Sequence, residues 1–459
     1  MKGLCMNKFF RFKLSTTQII MLSFFFAILI GSLLLALPIA SATGIAVPYI
    51  DALFTATTSI CVTGLVTVPT VSTWSLFGQI VILILIQVGG LGIITVISGL
   101  MIGLHQKIGI GKRILIQDAF NLNSLSGLVK FIKKVLLGTL IVEGIGALLY
   151  MTVFVPEYGA KGIWISIFNS ISAFCNAGID IISENSLCDY ATNPIINTVT
   201  CLLIILGGIG YIVWWDFIRV LKLLKQHSLK CFRYLTLHSK IAISATLVLI
   251  LAGTICFLSF EYDNPLTIGE LSLIDKLQVS LFQSVTTRTA GFATIPQQNL
   301  SDASVIVSLF LMFIGGSPVG TAGGVKTVTI AILLISAFAT VRNQEHVTLF
   351  GRTISPKAIR KGVAVISISF MIMFLSSVLL SVVTPANAID ILFETVSATA
   401  TVGLTRNVTP LLNLWGKIII IITMYLGRIG PISLLIALNT QKSNNNIIIK
   451  NPVEEISVG

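Results

Sequence analysis

Residues 54–65 read FTATTSICVTGL, and the pattern returns as FNSISAFCNAGI (168–179), FQSVTTRTAGF (282–292) and FETVSATATVGL (393–404). Each copy starts at a phenylalanine, runs through serine, threonine and small residues, and reaches a glycine followed by a large apolar residue. The glycines, Gly64, Gly178, Gly291 and Gly403, are 114, 113 and 112 residues apart, and the third copy is one residue shorter between Phe and Gly. A second mark follows each copy: GGLG (89–92), GGIG (207–210), GGSP (315–318) and GRIGP (427–431), at intervals of 118, 108 and 112 residues. Two marks in one register make the chain four repeats of about 113 residues.

Hydrophobic residues are 55% of the 459 and charged residues 10%; mean hydropathy is +0.96. That is too little charge to cover a soluble surface, and apolar runs long enough to cross a bilayer recur throughout. Barrel-type strand alternation is absent. The N-terminal apolar run, about 17–40, is too long for a signal peptide, so it reads as the first span. The net charge of +12 is unevenly spread. Basic residues cluster at Lys2–Lys13, Lys107–Lys134, Arg219–Lys240 and Arg342–Lys361, and acids at Glu157, Asp180, Glu184, Asp189, Glu261, Asp263, Glu270 and Asp275. The positive-inside rule makes the basic segments cytoplasmic and puts both termini inside. These clusters flank spans, which argues against a nucleic-acid surface. The seven cysteines show no metal or disulfide spacing.

Within a repeat the order is constant: an apolar run of about 20–25 residues, a short half-apolar segment, the Ser/Thr–Gly stretch, and a second apolar run. The middle segment of about ten residues covers roughly 15 Å of a ~30 Å core, so it enters and returns. Asp51, Asp275 and Asp390 sit near its outer start, where carboxylates suit a helix N-terminus. The expected fold is an all-α polytopic membrane protein. Four span–pore loop–span repeats surround a central pore, with eight transmembrane helices and four re-entrant pore helices. The repeats are placed at 17–104, 130–226, 238–340 and 360–440, with a cytoplasmic tail at 441–459.

Irregular backbone at membrane depth is tolerated where it is covered by protein or lines a water-filled path. Carbonyls aimed at an axis replace a cation's hydration shell, glycine permits the positive φ this needs, and four helix C-termini favour a cation. No acidic ring is present in the loops, which points to a large monovalent ion. At 89–92 and 207–210 the glycines of the second mark are expected to pack helices closely behind the loops.

At these residues the chain resembles the Trk/Ktr/HKT superfamily of potassium transporters, over nearly its whole length. Eight spans with short termini look most like the Ktr-type membrane subunit. The resemblance implies that the carbonyls of Val62, Thr63, Gly64 and Leu65, of Asn176, Ala177, Gly178 and Ile179, of Thr289, Ala290, Gly291 and Phe292, and of Thr401, Val402, Gly403 and Leu404 coordinate potassium. Serine in the first loop is associated in the family with sodium preference, so Gly64 supports potassium. The Ktr resemblance also implies a homodimer in the plasma membrane, seated on a cytoplasmic ring of nucleotide-binding regulatory subunits of the RCK type. The cytoplasmic basic loops, Lys107–Arg113 and Arg219–Lys240 among them, are natural contacts for that ring or for anionic lipid.

Residues 315–327, GGSPVGTAGGVKT, interrupt an apolar run whose flanks of 12 and 13 residues amount to one broken span. Pro318 removes a donor and disfavours helix at Ser317; Gly315, Gly316, Gly320, Gly323 and Gly324 weaken it further. The freed carbonyls, with Ser317, Thr321 and Thr327, would cross the path, and in the family this stretch is the intramembrane loop that gates permeation. Lys326 either holds that loop closed or snorkels inward. A Walker A reading of GGVKT fails because Val325 separates Gly from Lys. Arg428 interrupts the last span; the family places an arginine here below the filter, and Glu394 is a partner by register. Glu143 is a further candidate buried charge. Arg288 is expected to point away from the axis and bond loop carbonyls.

Three functions remain open on sequence: a regulated potassium uptake pathway, a sodium- or proton-coupled potassium symporter, and the potassium-translocating subunit of an ATP-driven pump. No cofactor is expected in this chain beyond the transported K⁺, with activation by Na⁺ left open. No nucleophile–base constellation suggests an enzyme, and KIGIGK (107–112) lacks a strand–helix context for nucleotide binding.

Overall fold

The computed structural model describes residues 15–104, 106, 109–119, 127–223, 232–344 and 346–430. The expected tail at 441–459, Pro431 of the last mark and the basic residues at 2–13 lie outside these.

The first span of each repeat is one long apolar helix, which in repeat one is α1 (Thr16–Leu35). Repeat one continues with α2 (Tyr49–Cys61), α3 (Leu76–Leu91) and α4 (Ile93–Gly103). Repeat two holds α5 (Leu128–Tyr158), α6 (Ala160–Cys175), α7 (Pro194–Gly208) and α8 (Tyr211–Leu221). Repeat three holds α9 (Leu237–Glu261), α10 (Leu273–Thr286), α11 (Asp302–Phe313) and α12 (Thr327–Val341). Repeat four holds α13 (Pro356–Val383), α14 (Ala388–Ala400) and α15 (Leu414–Ile429). A short hairpin, Thr348–Leu349 with Arg352–Thr353, precedes α13.

Side-chain chemistry explains where these helices start. Ser15 caps α1 in a capping box with Gln18. The second spans are capped by Ser75, Asn193, Ser301 and Asn413, whose side chains accept from the first-turn amides of Gly78, Ile195, Ser304 and Gly416. Each cap lies 14 residues before the first glycine of its second mark (Gly89, Gly207, Gly315, Gly427), roughly 21 Å of helix. Asp51, Asp275 and Asp390 fall in the first turns of α2, α10 and α14, where a carboxylate meets the positive end of the helix.

The long spans turn apolar faces outward, as at Phe25, Phe26, Ile30 and Leu33 of α1 and Leu247, Leu251 and Ile255 of α9. That is the surface a lipid-facing helix needs. The short helices α2, α6, α10 and α14, expected from sequence as pore helices, lie inside; Phe54, Phe168, Phe282 and Phe393, which open the four repeated stretches, are fully buried.

The second spans do not run straight. α3 and α4 meet at 98°, α7 and α8 at 99°. The bends fall on Gly92 (φ 84) and Gly210 (φ 93), a backbone state that L side chains rarely adopt. Sequence pointed to a break in repeat three alone and to close packing at the other two marks. Packing does account for Gly89 and Gly207, where a Cβ would overlap the carbonyls of Ile60 and Phe174. The last glycine of each mark is instead a corner.

Contacts between successive repeats close a circle. Lys417 of repeat four bonds Asp51 of repeat one, which also accepts from Thr67. Trp164 donates to Gln79 at 2.8 Å, joining repeats two and one. The amide of Leu187 donates to the Ala293 carbonyl, joining two and three. Arg406 pairs with Asp390 and reaches the Gln297 carbonyl, joining four and three.

Candidate ion pathway

The helices α2, α6 and α14 turn at once into a left-handed residue, Val62 (φ 55), Asn176 (φ 60) and Thr401 (φ 53), and α10 reaches one at Thr289 (φ 70), three residues past its end. Such φ values are costly for β-branched residues and persist only where the surroundings impose them. The following glycines are also at positive φ: Gly64 (97), Gly178 (62), Gly291 (87) and Gly403 (98).

These four glycines meet. A Cβ built on Gly64 would overlap the carbonyl of Ala177; on Gly178, that of Ala290; on Gly291, that of Val402; on Gly403, that of Thr63. Each glycine thus abuts the carbonyl preceding the glycine of the next repeat, and the fourth returns to the first. The structure brings all four stretches, 62–65, 176–179, 289–292 and 401–404, into one closed ring fed by four helix C-termini. Those C-termini carry partial negative charge.

A hydroxyl one turn back in each pore helix holds its stretch. Thr58 accepts from the Gly64 amide at 2.9 Å, and Ser397 from the Gly403 amide at 3.0 Å. Ser172 accepts from the Ile179 amide, and Thr286 donates to the Phe292 carbonyl at 2.6 Å. These side chains were not singled out from sequence. Their signal was present: they precede their glycines by 6, 6, 5 and 6 residues, the 5 belonging to the shorter third copy.

On one side the ring opens into a cavity of about 340 Å³, lined by the four glycines and by Asp180 and Glu184. Burial pushes the Asp180 carboxyl up to about 6, against hydrogen bonds from Ser186 and from the Ile182 and Ser183 amides. On the other side lies the 314–326 segment between α11 and α12. Its Ser317 and Thr321 amides donate to the Gly208 and Gly207 carbonyls at 2.8 and 3.1 Å, groups that the α7–α8 corner leaves free. Its Val319 carbonyl accepts from the Tyr211 amide. The Thr321 hydroxyl donates to the Phe174 carbonyl and to Asn176, and a Cβ on Gly323 would overlap the Thr401 hydroxyl. The segment therefore lies directly against the ring stretches of repeats two and four. Gly315, Gly316 and Gly324 let its two ends pair, Gly315 N with Val325 O and Thr327 N with Gly316 O, while the Ser317 and Thr327 hydroxyls meet at 2.9 Å. Pro318 and Gly320 form the far turn against Gly210 and Gly207.

Arg428 donates to the Thr321 carbonyl at 2.7 Å and to the Gly89 carbonyl. Glu394, its partner by register, sits midway along α14 and instead accepts from Thr405 and Thr409. Lys326 does not snorkel: its ammonium bonds the Ala322 and Gly323 carbonyls of its own segment. Arg288 points to α9 and bonds the Thr246 hydroxyl rather than loop carbonyls. Glu143 is buried, bonded by Gln87 and near Cys175. Among the described residues no group of three or more His, Cys, Asp or Glu could hold a metal ion.

Residues 8–447 match the family model described as "TrkH: Cation transport protein". Among curated proteins the chain is similar to the potassium/sodium uptake protein NtpJ of Enterococcus hirae, 40% identical with 99% of both chains covered. It is also similar to the Ktr system potassium uptake protein B of Bacillus subtilis, 38% identical with 96% of each covered. Among solved structures, the potassium transporter TrkH from Vibrio parahaemolyticus superposes with a TM-score of 0.72 at 17% identity, over 95% of this chain and 87% of that one.

Proposed function

Because the chain belongs to the TrkH family of cation transport proteins, we propose that it takes up potassium across the plasma membrane through the ring of Gly64, Gly178, Gly291 and Gly403. The observation that carries this reading is the closed cycle of glycine-to-carbonyl contacts between successive repeats. A ring of backbone carbonyls without carboxylates suits a large monovalent cation that has shed its water. The buried hydroxyls of Thr63, Thr289 and Thr401, without a protein partner, support it, since buried polar atoms need ions or water when protein supplies nothing. The relatives' printed names, which speak of potassium or of potassium and sodium uptake, support the choice of ion.

The 314–326 segment is the gate. It lies against the ring, is built from residues that cannot hold a helix, and is tied to repeat two through Gly207 and Gly208 and to repeat four through Thr401 and Arg428, whose guanidinium also reaches Gly89 of repeat one. Opening requires it to leave the Thr321–Arg428 contact. The chain works as a homodimer with both termini cytoplasmic, on a cytoplasmic nucleotide-binding regulatory ring. The name "Ktr system" of two relatives supports a partner of that kind, and the basic loops supply its surface. Glu143, a carboxylate buried at membrane depth, favours sodium or proton coupling as the second reading.

Rubidium uptake into vesicles containing the purified chain tests the reading. Uptake that persists against excess external sodium is expected, with or without an added cytoplasmic partner. Uptake abolished by equal sodium would reject a potassium-selective path.

A further inference from the structure

The inner cavity, about 540 Å³, is walled by Arg428, Lys326 and Lys361 and, among its described lining residues, by no aspartate or glutamate. The Arg428 and Lys326 side chains bond backbone carbonyls. Neither Arg428 nor Lys326 belongs to the ion pairs found among the described residues, Asp216–Arg219, Asp390–Arg406 and Asp51–Lys417. The Arg428 guanidinium, with the Lys326 amine beside it, therefore stands in a largely apolar wall with carbonyl dipoles in place of a counter-ion, a costly state for a charge at low dielectric. The N-termini of α4 and α12 begin at the same wall without side-chain caps and add partial positive charge. In a path that carries cations this concentration of one sign opposes transport. A site of this size and charge, with donors on several walls, is suited to an anion carrying several oxygens.

We propose that the inner cavity binds a phosphate-class anion, free in solution or as a phospholipid headgroup, between Arg428, Lys326 and Lys361. The anion neutralises the wall. Resting on the gate reading above, it also competes with the Thr321 carbonyl for Arg428 and with the Ala322 and Gly323 carbonyls for Lys326. Anionic oxygens bind a guanidinium or ammonium more strongly than neutral carbonyls do. Binding thereby loosens the segment under the ring.

The test begins with binding. The unfolding midpoint of the full chain in detergent is measured with inorganic phosphate against sodium chloride at equal ionic strength. It is measured again with short-chain phosphatidylglycerol against phosphatidylcholine. At least one of the two phosphate probes is expected to raise the midpoint beyond its control, because a ligand that binds only the folded state stabilises it. The excess should be lost in Lys361→Gln, at the exposed mouth, and in Lys326→Gln. A shift from phosphate alone assigns the free anion, and one from the lipid alone assigns the headgroup. No excess with either probe, or an excess that both variants retain, overturns the site. Rubidium uptake in phosphatidylcholine vesicles with and without the effective probe then reads the consequence, with a several-fold rise expected. Unchanged uptake overturns the coupling to the gate, while absence of all rubidium uptake counts against the proposed function and leaves the binding result standing.

Discussion

The guanidinium of Arg428 and the carbonyl of Thr321 stand 2.7 Å apart, 107 residues distant in sequence, and join the last helix to the segment beneath the glycine ring. The same guanidinium reaches the Gly89 carbonyl in repeat one. One side chain thus holds three repeats around the inner face of the ring. Hydrogen bonds to a charged donor are worth about 1.5–3 kcal/mol each. Arg428→Gln should therefore raise basal rubidium uptake by at least about tenfold. Equal or lower uptake in folded protein would mean that the segment is not the barrier.

Gly178→Ala places a methyl group against the Ala290 carbonyl and on a backbone at φ 62. Both partners are backbone, so neither yields cheaply. Loss of rubidium uptake is expected with the chain still inserted and folded, as checked by gel filtration and helical content. Retained uptake would place the conduction path elsewhere.

Ser397→Ala removes the acceptor of the Gly403 amide without changing volume much. One hydrogen bond of about 1 kcal/mol corresponds to roughly a fivefold loss of potassium-over-sodium discrimination. Total flux should change less than discrimination does. A uniform drop of both ions would instead indicate general misfolding.

Asp180 lines the outer cavity with Glu184, and burial holds its carboxyl up at about 6. Above that value it is ionised and attracts cations to the ring; below it, the group gains a proton and the attraction weakens. Uptake at limiting potassium should fall as external pH drops through about 6. Asp180→Asn should remove that step and lower uptake at high pH to the acid level.

Lys417 and Asp51 are a half-buried pair, with side chains 16% and 9% exposed. Lys417→Met leaves the carboxylate with Thr67 as its remaining partner. A cost of about 1–3 kcal/mol should appear as a lower unfolding midpoint. Lys417→Arg should recover most of it, and an unchanged midpoint in the methionine variant would remove this pair from the forces that close the circle.

The sequence made the repeat visible because positive φ and a carbonyl pressed against Cα both strain any side chain, so Gly64, Gly178, Gly291 and Gly403 recur at nearly fixed intervals. The broken span in repeat three was equally legible, since proline and five glycines cannot sustain a helix. The corners at Gly92 and Gly210 were hidden because GGLG and GGIG suit close helix packing as well as a bend, and Gly89 and Gly207 do pack. The partner of Arg428 was hidden for another reason. It is a backbone carbonyl, which every residue owns, so register favoured the visible carboxylate of Glu394, and the fold gave that carboxylate to Thr405 and Thr409 instead. Arg288 was misread likewise: α9 offered the Thr246 hydroxyl, whose position depends on packing between distant helices.

The most direct measurement is the potassium-to-sodium permeability ratio of Gly64→Ser beside the unaltered chain in the same bilayers. A serine Cβ at φ 97 meets the Ala177 carbonyl and must distort the ring at one of its four points. The ratio is expected to fall by an order of magnitude or more, on the order of 1.4 kcal/mol or above, while protein yield and fold stay intact. An unchanged ratio in folded protein would contradict the assignment of the glycine ring as the selective path.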